Sequence, residues 1–239
     1  MILQFENVSF SYPTTLALNN VSFEVRLGEI VGLIGANGAG KTTTLLHIIR
    51  YLHPDSGRIR LNGIDITKIK NENFAVTYIP DTPVFYEELT ALEHLHFVKA
   101  LYPDNKVTLE SIIDRLELND HLDKVPSALS RGTKQKLMVA LALLRHYVLL
   151  VADEPFTGLD PGQIVVFKQI LTDCRREQKA VLLSTHLLDM VEGLCDRYVM
   201  LHRGRIIAQG TKQDIIRQYD LNSDSTLEQV YLTLVRRAK

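Results

Sequence analysis

The chain has 239 residues, 46% of them hydrophobic and 23% charged, a globular composition that excludes a disordered or collagen-like polymer. Its 27 basic and 28 acidic side chains leave a formal charge of −1, which argues against a nucleic-acid partner held by the field of the whole protein. At this length one large domain or two small ones form without a staple, and Cys174 and Cys195 stand in no paired ligand spacing, which suits a reducing compartment.

Met1 to Glu6 has neither the basic start nor the apolar run of a secretory leader. No stretch approaches the roughly 18 uninterrupted apolar residues of a membrane span, so a cytoplasmic chain that does not itself cross a membrane is expected. Ile2–Glu6 and Val21–Arg26 alternate apolar and polar residues, as half-buried strands do. Ile30–Ile34 is continuously apolar, which predicts a strand buried on both faces of a parallel sheet. A helix is predicted over Lys41–Leu52, closed by Pro54 and Gly57, followed by strands at Arg58–Leu61 and Phe74–Ile79. From Thr90 to about Leu144 the signals are helical, with Leu92, Leu95, His96 and Lys99 on one turn-spaced row and Leu109, Ile112, Ile113 and Leu116 on another. Strands return at Val148–Ala152, Val181–Ser184, Tyr198–Leu201 and Arg205–Ala208, with helices over Gly162–Glu177 and Leu187–Leu194. Leu227, Val230, Tyr231 and Leu234 form the apolar stripe of a closing helix. The alternation predicts an open, mostly parallel α/β sheet interrupted by a helical insertion.

Gly35-Ala36-Asn37-Gly38-Ala39-Gly40-Lys41-Thr42 lies between the buried strand and the first helix. Gly35, Gly38 and Gly40 let the backbone approach phosphate oxygens without a Cβ in the way, and the helix N-terminus supplies partial positive charge. Lys41 adds a full charge at the β and γ phosphates, Thr42 offers a hydroxyl to Mg²⁺, and Thr43 reaches the α phosphate. This loop predicts a nucleoside triphosphate site.

Such a site needs a metal partner and a base. Val148–Glu154 is an apolar strand ending in two carboxylates, and strand ends in a parallel sheet gather at the ligand. Asp153 is read as the Mg²⁺ partner and Glu154 as the group that takes a proton from the attacking water. Leu129–Lys136 opens a further helix in which Ser130 is the N-cap. Read alone, Ser130 is simply a cap. Read with the loop, it makes a second anion site, which one nucleotide does not need; two chains related by two-fold symmetry, each completing the other's site, would use both.

Together these residues resemble the nucleotide-binding subunit of an ATP-binding-cassette transporter over nearly the whole chain. Gly35–Thr43 is similar to that family's phosphate loop, Leu149–Glu154 to its second acidic strand, and Leu129–Thr133 to its signature. Gly158-Leu159-Asp160 resembles its D-loop, and His186 in Ser184-Thr185-His186 its switch histidine. The resemblance implies a P-loop NTPase (RecA-like) core over residues 1–81 and 147–239, with an antiparallel β subdomain and a helical subdomain inserted at 82–146. It implies ATP and Mg²⁺, with catalysis by Lys41, Glu154 and His186. Nucleotide contacts are implied from Tyr12, Gly35, Asn37, Gly38, Gly40, Lys41, Thr42 and Thr43, and from Ser130, Gly132 and Thr133 of a second copy. Tyr12 would stack on adenine, though its position also suits an edge-strand aromatic; His186 also suits a structural role. Asp160 is expected both to cap the helix beginning at Pro161 and to touch the partner copy. The pairs His94/His96 and His47/His53 make no metal-ligand set.

Two positions depart from the family pattern. Asp81, in Tyr78-Ile79-Pro80-Asp81, stands where glutamine is usual and joins Thr42 and Asp153 as a candidate metal ligand. Arg131 and Thr133 replace a glycine and a glutamine in the signature, which implies slower hydrolysis. Both departures, with the run Ile79–Thr90 and the ending Leu227–Leu232, are similar to the ATPases of Ecs-type exporters of Gram-positive bacteria. That likeness implies export of peptides or other hydrophobic cargo, a head-to-tail homodimer and a membrane-spanning permease on the inner face of the cell membrane. Val84, Phe85 and Tyr86 are candidates for the permease contact, or for local core packing. The alternative is a soluble cassette ATPase acting as a nucleotide-dependent switch, a class that generally carries two cassettes, a coiled coil or a basic extension.

Overall fold

The computed structural model describes residues 1–238. Strands β1 (Leu3–Tyr12) and β2 (Thr15–Val25) form a hairpin, and β1 also pairs with β4 (Ser56–Leu61), which pairs with β5 (Ile64–Asp65). All these pairings are antiparallel, in the order β2-β1-β4-β5. Both hairpin strands extend beyond the predicted residues, because register shifts from Phe5 onward let Phe10–Tyr12 keep pairing although the strict alternation has lapsed. Tyr12 thereby stands at the very end of β1.

The second sheet has the order β10-β9-β3-β8-β7-β6. Its members β3 (Ile30–Ile34), β6 (Val76–Ile79), β7 (Leu149–Asp153), β8 (Ala180–Thr185) and β9 (Arg197–His202) run parallel. Only β10 (Arg205–Gly210) is antiparallel, paired with β9. Every residue of β3, β7 and β8 is buried, including the polar Asp153, Ser184 and Thr185 that end β7 and β8. One face of this sheet packs with the antiparallel sheet and α1 (Lys41–Ile48); the other carries the remaining helices.

Helix α1 stops four residues before the predicted end. Arg50 takes φ 64 and the Tyr51 N–H donates to the Leu46 carbonyl, a left-handed cap that usually announces itself by glycine. The Arg50 guanidinium offsets the strain by donating to the Ile69 carbonyl (2.7 Å) and lying 3.8 Å over the Phe74 ring.

Between β6 and β7 come α2 (Ala91–Leu101), α3 (Leu109–Arg115) and α4 (Arg131–Leu143). Thr90 and Glu93 close a capping box on α2, and the buried Thr77 hydroxyl of β6 donates to the Ala142 carbonyl, fastening α4 to the sheet. After β7, α5 (Pro161–Arg176) packs on the sheet. α6 is confined to Leu188–Val191, shorter than predicted, because Glu192 turns extended to pair with Lys212 (2.6 Å) and accept from the Leu227 N–H (2.9 Å). α7 (Lys212–Gln218) and α8 (Leu227–Arg237) close the chain. Among the described residues no helix is long and apolar enough to cross a membrane.

Candidate active site

The carboxyl ends of the parallel strands converge, as the sheet's topology dictates. After β3 the chain turns through Gly35–Gly40 into α1. Gly40 has φ 106, and a Cβ there would lie 2.8 Å from the Ala17 carbonyl of β2, so both the backbone and the neighbour demand glycine. No side chain caps α1, which leaves its first N–H groups to a ligand.

Tyr12 at the end of β1, Asn37, Gly38 and Gly40 of the loop, and Lys41, Thr42 and Thr43 of α1 line one open cleft of about 640 Å³. Asp81 beyond β6 and Glu154 beyond β7 face it from the other side, so residues spread over most of the chain meet here. The Tyr12 hydroxyl lies 3.5 Å from Thr43 Oγ1, and its ring packs edge-on against Phe10.

Lys41 is nearly buried and fully occupied. Its Nζ donates to the Gly35 carbonyl (2.9 Å) and pairs with Glu154 Oε1 at 3.1 Å. Glu154 holds φ 45, an uncommon conformation for a non-glycine residue. Its Oε2 accepts from the His186 N–H (3.2 Å) and lies 3.0 Å from His186 Nδ1. Burial pushes the Glu154 carboxyl up, but the His186 hydrogen bond and the Lys41 charge outweigh it and hold the group below the usual carboxylate range. Asp153 is the opposite case. It is 1% exposed, and burial raises its pKa against the opposing hydrogen bonds of Ser184 and Thr42.

Gly35 and Asp153 lie beneath the cleft rather than in its wall, and His186 reaches it through Glu154. Ser130 and Asp160 do not line it. Ser130 caps α4, accepting from the Thr133 N–H at 3.1 Å. Gly132 is packed against α5, where a Cβ would meet Gln163 Oε1 at 2.9 Å. Thr133 is 6% exposed, with its hydroxyl 2.8 Å from Ser130 Oγ, so it braces Ser130. Arg131 is accommodated by the turn before α5, since its side chain lies where a Cβ on Gly158 would stand. Asp160 caps α5 in a capping box with Gln163. His47 Nδ1 and His94 Nδ1 bond backbone carbonyls of their own helices' first turns.

Three residues in or under the site had no sequence signal. Ser184, hidden in an apolar strand, donates from its buried hydroxyl to Asp153 and accepts from the Glu154 N–H (3.2 Å), fixing the Asp153 carboxylate and the backbone of Glu154. Arg203 lines the cleft from the β9–β10 turn. Tyr231 looked like part of an apolar stripe, yet its hydroxyl accepts from the Ala36 N–H (2.9 Å) and donates to the Leu201 carbonyl (3.2 Å). Tyr231→Phe strands both groups. It is expected to lower stability by about 1–3 kcal/mol and to weaken ATP binding several-fold, read by thermal unfolding and calorimetry; unchanged values would show that α8 does not brace the loop.

The sequence model of the family described as "ABC transporter" matches residues 18–157. The chain is 37% identical to the ABC-type transporter ATP-binding protein EcsA of Bacillus subtilis, over 98% of this chain and 97% of that one. It is 31% identical to the lipopolysaccharide export system ATP-binding protein LptB of Haemophilus influenzae, over 97% of each. Among solved structures, an ATP-binding subunit of an ABC transporter superposes with a TM-score of 0.90 at 37% identity, covering 98% of this chain and all of that one. The arrangement of loop, acidic strand end and histidine and these likenesses agree: the chain belongs to the ATP-binding-cassette transporter family, as an ATP-binding subunit of the kind that hydrolyses ATP.

Proposed function

We propose that the chain drives an exporter of hydrophobic cargo, peptides among them, working as a head-to-tail dimer on the cytoplasmic face of a membrane beneath a membrane-spanning partner. One observation supports the dimer: the N-terminal end of α4, with Ser130 and Gly132, does not line the cleft of its own chain. Each nucleotide is then held by the Gly35–Thr43 loop of one copy and the Ser130 turn of the other, with Asp160 at the contact between them. Export is supported by the likeness to LptB, whose name places it in an export system.

Lys41 pairs with Glu154 at 3.1 Å. Triphosphate competes for that ammonium, and as Lys41 turns to the phosphates Glu154 keeps only His186, whose ring and N–H orient the carboxylate toward the attacking water. Thr43 meets the α phosphate and the Tyr12 ring the base. Thr42 and Asp153 offer the hard oxygens that suit Mg²⁺, and the buried Asp153 carboxyl has no cationic side chain in contact among the described residues, so the residues fit the ion; Asp81 adds a carboxylate from the cleft wall. When bound, Mg²⁺ would draw charge from the phosphates. Loss of the γ phosphate removes the bridge between copies, and the pair reopens.

The partner contact is supported by a second, apolar groove of about 440 Å³ in which Val84, Phe85 and Tyr86 face Phe97, Met138 and Leu141. Val84 is 78% and Tyr86 61% exposed, which local core packing does not explain. An amphipathic helix of the membrane subunit fits such a groove. Purified from membranes in detergent, the wild-type chain is expected to bring down a multi-span protein. The double variant Val84→Asp, Tyr86→Asp is expected to lose it while keeping ATP affinity. A chain that stays solitary and turns over ATP at full rate would overturn both the dimer and the partner.

A further inference from the structure

β9 and β10 are joined by a two-residue turn, Arg203-Gly204, with His202 paired to Arg205. Both turn residues are left-handed, Arg203 at φ 48 and Gly204 at φ 73. That is the turn geometry for which Asn-Gly is the favoured pair, so arginine is a poor choice for the backbone's own sake.

The turn is fastened on two sides. The Gly204 N–H donates to the Ala39 carbonyl of the phosphate loop (3.0 Å), and the Gly204 carbonyl accepts from the Asn19 N–H of β2 (2.8 Å). Arg203 is thereby carried against the loop, and its side chain lines the cleft with Lys41 and Thr43. β9 flanks β3 on the side away from β8, so Arg203 approaches the loop from the flank opposite Glu154 and His186. Among the described residues its guanidinium has no hydrogen-bond or ion-pair partner, whereas Arg197 on the same strand pairs with Glu29 at 3.2 Å.

We propose that Arg203 is a nucleotide-binding residue whose guanidinium pairs with the phosphate chain, a second cation beside Lys41. The inference rests on the nucleotide site described above. Its chemistry is that of a planar fork of donors meeting phosphate oxygens, held by a turn too short to wander. An unfavoured residue at a position strained for it, unpaired and facing a polyanion, is explained by the ligand it meets.

The test is calorimetric titration of the full chain with ATP at several salt concentrations, beside thermal unfolding, for wild type, Arg203→Asn and Arg203→Lys. Arg203→Asn is expected to weaken ATP binding roughly tenfold and flatten its salt dependence, while the melting midpoint holds or rises because asparagine suits the turn. Arg203→Lys should retain part of the affinity. Wild-type affinity in Arg203→Asn, or a loss that merely tracks a fall in melting midpoint, would overturn the assignment. A loss with unaltered salt dependence would also overturn it, by placing the side chain on base or ribose. If the wild type itself binds no ATP, the nucleotide site fails instead, and the two failures are distinct.

Discussion

Lys41→Ala is expected to abolish measurable ATP binding, a loss of about a hundredfold or more in affinity. The ammonium is nearly buried and already desolvated, so its bond to phosphate is charge-assisted in a low-dielectric setting, and alanine leaves the loop with backbone donors alone. The same substitution strands Glu154, whose carboxylate pairs with Lys41 at 3.1 Å. Breaking a buried pair by removing one member costs up to about 3–5 kcal/mol, tempered here by the remaining His186 contact, so the nucleotide-free variant should also melt earlier. That penalty has a definite pH dependence. Glu154 is held below its ordinary value, so the stability its contacts supply is complete above the unfolded carboxylate range and fades as pH falls through the folded value. The difference in melting point between wild type and variant should therefore shrink in acid. Titration calorimetry and thermal unfolding read the two effects separately. Undiminished affinity would remove Lys41 from the phosphate site.

Glu154→Gln is expected to separate binding from turnover. The amide keeps the shape and can still accept from the His186 N–H, but it takes no proton from water, so hydrolysis should fall by about 10²–10⁴-fold. ATP affinity should hold or improve, because Lys41 no longer has a carboxylate to leave. With hydrolysis stopped, the bridging γ phosphate stays in place, and the variant in MgATP should elute as a dimer where the wild type does not. Steady-state phosphate release and sizing by light scattering read these outcomes. Normal turnover would exclude Glu154 as the base.

Much of this is legible in the sequence. The unbroken apolar run of β3 reports a strand buried on both faces, and the glycine loop reports the turn into α1. What escaped lay where local signals are ambiguous. Arg50 ends α1 in a left-handed cap without glycine, so periodicity carried the predicted helix on to Leu52. Glu192 ends α6 because Lys212 and Leu227, distant in sequence, claim its side chain.

The order of residues along the chain by itself determined the class of sheet, the phosphate loop and the acidic strand end, because each depends on side chains within a few positions of one another. Only the tertiary structure decided which groups restrain them. Lys41 is held by Glu154, Ala36 by Tyr231, and Asp153 and Glu154 together by the one hydroxyl of Ser184. Strand neighbours in a parallel sheet are separated by whole helices in sequence, so the partners that set a charge or brace a loop arrive from places no local pattern connects.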